Sequence, residues 1–163
     1  MTGLSKNGIR WDRLILGALI AGAICLASDG FLHQKLLTAQ WQALQAAKGT
    51  QVREHGGWAV LYFVVYELGR GSLALFSYAL MRPRCGAGPK TAAWAGVVSW
   101  LAFSVAAPAQ FIPIGYFSNE LWILAGAYQL VVSVAAAIAG AAVDSGAPAG
   151  DGRPLQQPEE NQR

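Results

Sequence analysis

A chain of 163 residues and 17.2 kDa that is 54% apolar and only 13% charged lacks the polar surface of a water-soluble fold, where about 25% of residues are charged. It has room for one membrane domain and a short tail, which excludes a large extramembrane catalytic unit or a nucleotide-binding module. A net charge of +3 would suggest nucleic acid in a soluble protein. Here it reads as membrane topology, and no nucleic-acid partner is expected.

Four apolar stretches, at about 14–32, 58–81, 92–112 and 121–143, are each long enough to cross a ~30 Å hydrocarbon core, which takes about 20 helical residues. The expected fold is all-α: a four-transmembrane-helix bundle over residues 1–143, its principal partner the lipid bilayer. The run 14–28 resembles a signal peptide, with Cys25 and Ala27 at the small cleavage positions. It continues through Phe31 and Leu32, however, and its removal would leave an odd number of spans. It is therefore read as the first span.

Leu37, Trp41, Leu44 and Ala47 then recur at helical spacing among glutamines and lysines. This predicts a short amphipathic helix on the outer surface between spans one and two, lying on the membrane or packed on the bundle. Residues 50–57 form a polar connection. Span two opens with Trp58 and closes with Tyr78, placed as interfacial aromatics. In the turn that follows, Pro83 and Pro89 are expected to stop the helix twice, with Arg82, Arg84 and Lys90 as its basic residues. Pro108 in span three predicts a bend near the outer end, with a neighbour satisfying the freed carbonyl. Span four ends in alanines and Gly140, and Gly17 and Ala21 lie in span one. Such small residues permit close helix contact, within the chain or in a homo-oligomer. From Asp144 the composition turns to Gly, Pro, Gln and acids, which predicts a disordered tail over 144–163.

Eight of the twelve Lys and Arg residues fall before span one, in the Arg82–Lys90 turn and in the tail. The positive-inside rule then puts both termini and that turn in the cytoplasm, in a bacterial inner membrane. Cys25 and Cys85 differ in depth, so no disulfide is expected.

Chemistry is confined to the polar residues within the spans. A charge at such depth costs at least ~2.5–3.5 kcal/mol on insertion scales, so it needs a partner, water or a purpose. Helical rise places Asp29 about 8 Å, Glu67 about 14 Å and Gln129 about 12 Å below the outer boundary, with Ser104 at a comparable level. All four spans thus carry a polar group at similar depth. His33 follows Asp29 by four residues, and the pair reads as a local structural contact near the outer interface. A metal would need Glu67 as its third ligand. Glu67 and Arg70, three apart, form an intrahelical ion pair on this reading. The alternative is a proton-exchanging carboxylate at Glu67, with Asp29 and His33 at the outer mouth and Tyr62 and Tyr66 nearby as hydroxyls or cation-facing rings. No phosphate-binding loop, His-Glu-x-x-His or paired haem histidines occur. No cofactor, no metal and no enzymatic step are expected.

The block 78–92, with Arg82-Pro83-Arg84-Cys85-Gly86-Ala87-Gly88-Pro89 inside it, resembles a junction in uncharacterised small bacterial four-helix membrane proteins. Asp29-Gly30 followed by His33, and the pair Gln40-Trp41, are similar to the same family. The resemblance covers roughly residues 12–143 and implies the topology and a bacterial inner membrane, but no catalytic residue. Small multidrug exporters offer a functional analogy through their membrane-embedded glutamate. Theirs lies in the first span, however, whereas Glu67 lies in the second beside Arg70. The reading that follows is a structural or accessory membrane protein, with a small proton-coupled transporter as the alternative.

Overall fold

A computed structural model describes residues 10–48, 57–113, 115 and 118–145. The connection expected over 50–57 lies, except for Gly57, outside the described residues, as does the tail beyond Ser145. The described residues are helical or in turns, without strands. Helix α1 is Trp11–Phe31 and continues as a π turn, Leu32–Leu36. The others are α2 (Thr38–Lys48), α3 (Gly57–Cys85), α4 (Pro89–Ala109) and α5 (Asn119–Ser145). Apart from α2, each is long and apolar enough to cross a membrane. The large apolar side chains Ile15, Leu19, Val65, Trp94, Ile123 and Val131 stay exposed, as expected where lipid rather than protein covers a surface. The protein is an all-α, multi-pass membrane bundle.

α1 and α4 each pack on both α3 and α5, and α3 and α5 meet across the middle. Backbones approach closely at glycines. A Cβ on Gly71 of α3 would lie 2.6 Å from the Ala18 carbonyl oxygen of α1 and collide with Gly22, and one on Gly17 would lie 2.6 Å from the Gly140 oxygen of α5. The small residues of spans one and four are therefore used inside the chain. Between these crossings lies a core of Ala21, Cys25, Ala74, Leu75, Ala136 and Ala137. Tyr78, near the span end, belongs to it and is 3% exposed, so it faces the bundle rather than the surrounding lipid. It follows Ala74 by four residues and thus shares that residue's buried face.

Two expectations need correction. Pro83 does not stop α3, which runs through it to Cys85. The stop is Gly86, whose φ of +82° is a left-handed conformation that glycine adopts without a Cβ penalty. Thr91 then donates 2.8 Å to the Gly86 carbonyl across the turn, and Pro89 starts α4 at a position that needs no N–H. The second correction concerns span three, which ends at Ala109 rather than 112, in turns over 110–113. Its expected irregularity takes the form of a π segment, Leu101–Ala106. In that i→i−5 pattern Pro108 would have donated to the Phe103 carbonyl, and it has no N–H to give. The Tyr66 hydroxyl of α3 donates to that carbonyl instead, at 2.6 Å. Tyr66 is thereby committed to backbone repair, with its ring edge-on to Phe103 at 5.0 Å.

α2 is docked on the bundle. Leu32, Leu37 and Leu121 form a buried cluster, and Trp41 and Leu44 of α2 pack against it, as do Ala125 and Tyr128 of α5. Of the apolar stripe of α2, Trp41 and Leu44 thus meet protein and Ala47 is exposed.

Candidate functional site

The buried polar cluster is organised by Arg70. Its side chain is 1% exposed, and that of Glu67, one turn earlier on α3, is 3% exposed. Nη1 donates to Glu67 Oε2 at 3.2 Å and to Asp29 Oδ2 of α1 at 3.3 Å. Nη2 donates to Ser133 Oγ of α5 at 2.6 Å and to the Gln129 carbonyl at 3.1 Å, and Nε donates to Ser133 Oγ at 3.2 Å. The carbonyl of Arg70 accepts from Ser99 Oγ of α4 at 2.7 Å. One residue thus holds hydrogen bonds to all four membrane helices.

Local sequence makes this possible. Gly71, next to Arg70, lets α3 approach α1 closely enough for Asp29 to reach the guanidinium. On α5, Gln129 and Ser133 are four apart and share a face, and the Ser133 hydroxyl donates back to the Gln129 carbonyl at 2.7 Å. Gln129 Nε2 donates 2.8 Å to Asp29 Oδ2. The guanidinium's planar fork suits such a multi-armed role better than the point charge of a lysine. Electrostatically, two carboxylates face one cation through the same nitrogen. Asp29 Oδ1 is buried and has no hydrogen-bond partner.

Asp29, Glu67, Arg70 and Gln129 are therefore brought together. Two sequence candidates are not. Ser104, in the π segment of α4, is 4% exposed, and its hydroxyl has no partner. The contact from α4 comes instead from Ser99, because rise alone assigns depth but not the side of the helix. His33 does not bond Asp29. Arg70 and Gln129 take Asp29, and His33 Nδ1 accepts from Trp41 Nε1 of α2 at 3.0 Å. Asp29, His33 and Glu67 thus do not converge, and among the described residues no group of three His, Cys, Asp or Glu is placed to hold a metal ion. Ser133 was legible as the residue four after Gln129. Ser99 and Trp41 had no such signal.

The basic residues Arg82, Arg84 and Lys90 are exposed at the opposite end of the bundle from His33 and α2. Fold and cluster together define a multi-pass membrane bundle pinned by a buried arginine. Comparison of the chain with family models, curated proteins and solved structures returned no match.

Proposed function

We propose that this protein has a structural or accessory role in a bacterial cytoplasmic membrane, without an enzymatic step, and that its intramembrane charges hold the bundle together. The observation that carries this reading is Arg70, whose hydrogen bonds reach all four membrane helices from a site 1% exposed. At the depth where a solute path would use the polar groups, a guanidinium occupies the centre. The resemblance to small four-helix bacterial membrane proteins supports the topology and the bacterial inner membrane, and implies no catalytic residue.

A second reading, a small proton-coupled transporter using Glu67, draws support from one observation: two carboxylates share one guanidinium, and Asp29 Oδ1 has no partner. Vesicles carrying the purified protein and an internal pH dye separate the two. On the structural reading, proton movement matches that of protein-free vesicles for every cation tested. A solute-driven proton flux that disappears in Glu67→Gln would replace this reading with the transporter.

The orientation proposed, with both termini and the Arg82–Lys90 turn in the cytoplasm, rests on the lysine and arginine distribution. Cys85 is exposed and Cys25 buried, so a membrane-impermeant maleimide reports on Cys85. Labelling is expected only after cells are permeabilised. Labelling of intact cells would invert the topology.

A further inference from the structure

The junction between α1 and α2 carries a second polar device, which meets the Arg70 cluster at Asp29. The π turn Leu32–Leu36 ends in a Leu37 N–H bond to the Leu32 carbonyl at 2.9 Å, and Thr38 Oγ1 donates 2.7 Å to the Gln34 carbonyl. These bonds set the corner. From it, α2 folds back so that Trp41 reaches His33, with Nε1 to Nδ1 at 3.0 Å and the rings edge-on at 5.7 Å. An indole N–H only donates. Nδ1 must therefore offer a lone pair, which makes the imidazole neutral with its proton on Nε2. A proton on Nδ1 would set one N–H against another and remove the bond. Four residues back on α1, Asp29 presents Oδ1, buried and without a partner. The imidazolium thus has an alternative acceptor of opposite charge on its own helix.

We propose that His33 is a proton-operated latch for α2: the unprotonated ring holds Trp41 and keeps α2 docked on α5, and the protonated ring leaves Trp41 for Asp29 and lets α2 lift. Asp29, the carboxylate four residues back, is itself tied to Arg70 of α3 and Gln129 of α5. Arg70 also holds Glu67. In the apolar cluster beneath α2, Tyr128 of α5 is the titratable residue. Lys35 on the π turn, Lys48 at the far end of α2 and Glu120 at the start of α5 are exposed, where water and salt screen them. Since the docked form is the unprotonated one, docking weakens as pH falls through the His33 titration.

The latch shares Asp29 with the Arg70 tie, but its test follows other atoms. The full chain in lipid nanodiscs is titrated between about pH 8 and pH 5, the range in which histidine changes charge. The indole N–H resonance of Trp41, assigned by its loss in Trp41→Phe, is followed together with hydrogen-exchange protection factors over α2, which remove the intrinsic pH dependence of exchange. The resonance is expected to lose its hydrogen-bonded shift in a single step while α2 protection falls by about tenfold, the worth of one hydrogen bond. In His33→Gln, whose amide oxygen accepts but does not titrate, both observables should stay level. An unchanged wild type, or the same step in His33→Gln, overturns the latch.

Discussion

Replacing Arg70 with methionine should destabilise the bundle by about 3–5 kcal/mol, the usual cost of removing one partner from a buried ion pair. The reason is not the lost contacts alone. Methionine fills similar space but leaves Asp29 and Glu67 as two buried carboxylates, and Ser133 and the Gln129 carbonyl each lose a donor. The charge argument makes a sharper demand. In Arg70→Met combined with Asp29→Asn and Glu67→Gln, no uncompensated charge remains, and a large part of the loss should return even though the ion pairs are still absent. Unfolding by SDS in mixed micelles, followed by circular dichroism, measures both variants. Equal stability of the single and triple variants would show that shape and hydrogen bonding at Arg70, rather than charge balance, hold the helices.

The second large effect is steric. Gly71→Ala should cost about 1–3 kcal/mol, the range for overpacking a tight interface, because the new Cβ would sit 2.6 Å from the Ala18 oxygen with backbone on the other side. No side chain is there to move aside, so α1 and α3 must separate, and the Asp29–Arg70 bond, already 3.3 Å, lengthens with them. Gly69→Ala is the internal comparison. Its Cβ would meet only the Phe103 ring, at 3.5 Å, which is ordinary contact, so stability should stay within about 0.5 kcal/mol of wild type, as for most substitutions away from packed features. Thermal aggregation in detergent ranks the two. If they prove equal, the close approach at Gly71 is not what limits this crossing.

How much of this was legible from residues varies with the kind of interaction. The Glu67 and Arg70 side chains lie three apart on one helix, so their 3.2 Å contact needs no tertiary information. Gln129 and Asp29 were legible as polar groups at matching depth, but that they meet at 2.8 Å depends on which faces α1 and α5 turn toward each other. Depth arithmetic failed for Ser104 because it ignores rotation about the helix axis. For Asp29 and His33 the i, i+4 spacing was not decisive, because Arg70 and Gln129 take the carboxylate and Trp41 takes the imidazole. Pro83 misled through its usual association with helix ends. Here α3 runs on through Pro83 although that residue has no N–H for the Ala79 carbonyl, and the neighbouring Gly86 makes the actual reversal.

The sequence by itself determined the class of this protein: four membrane helices, a short helix between the first two, and buried charges in need of partners. Those properties follow from composition and length, since the free energy of placing a segment in hydrocarbon is close to a sum over its residues. Only the tertiary structure decided which partner each polar group takes. Arg70 could have been satisfied by Glu67 alone, and His33 by Asp29. Instead the glycine crossing at residues 22 and 71 brings α1 and α3 together, α5 presents Gln129 and Ser133 to the same point, and α2 returns to offer Trp41. Such choices depend on helix rotation and on distances of a few ångströms between segments far apart in the chain, and local pattern carries no record of them.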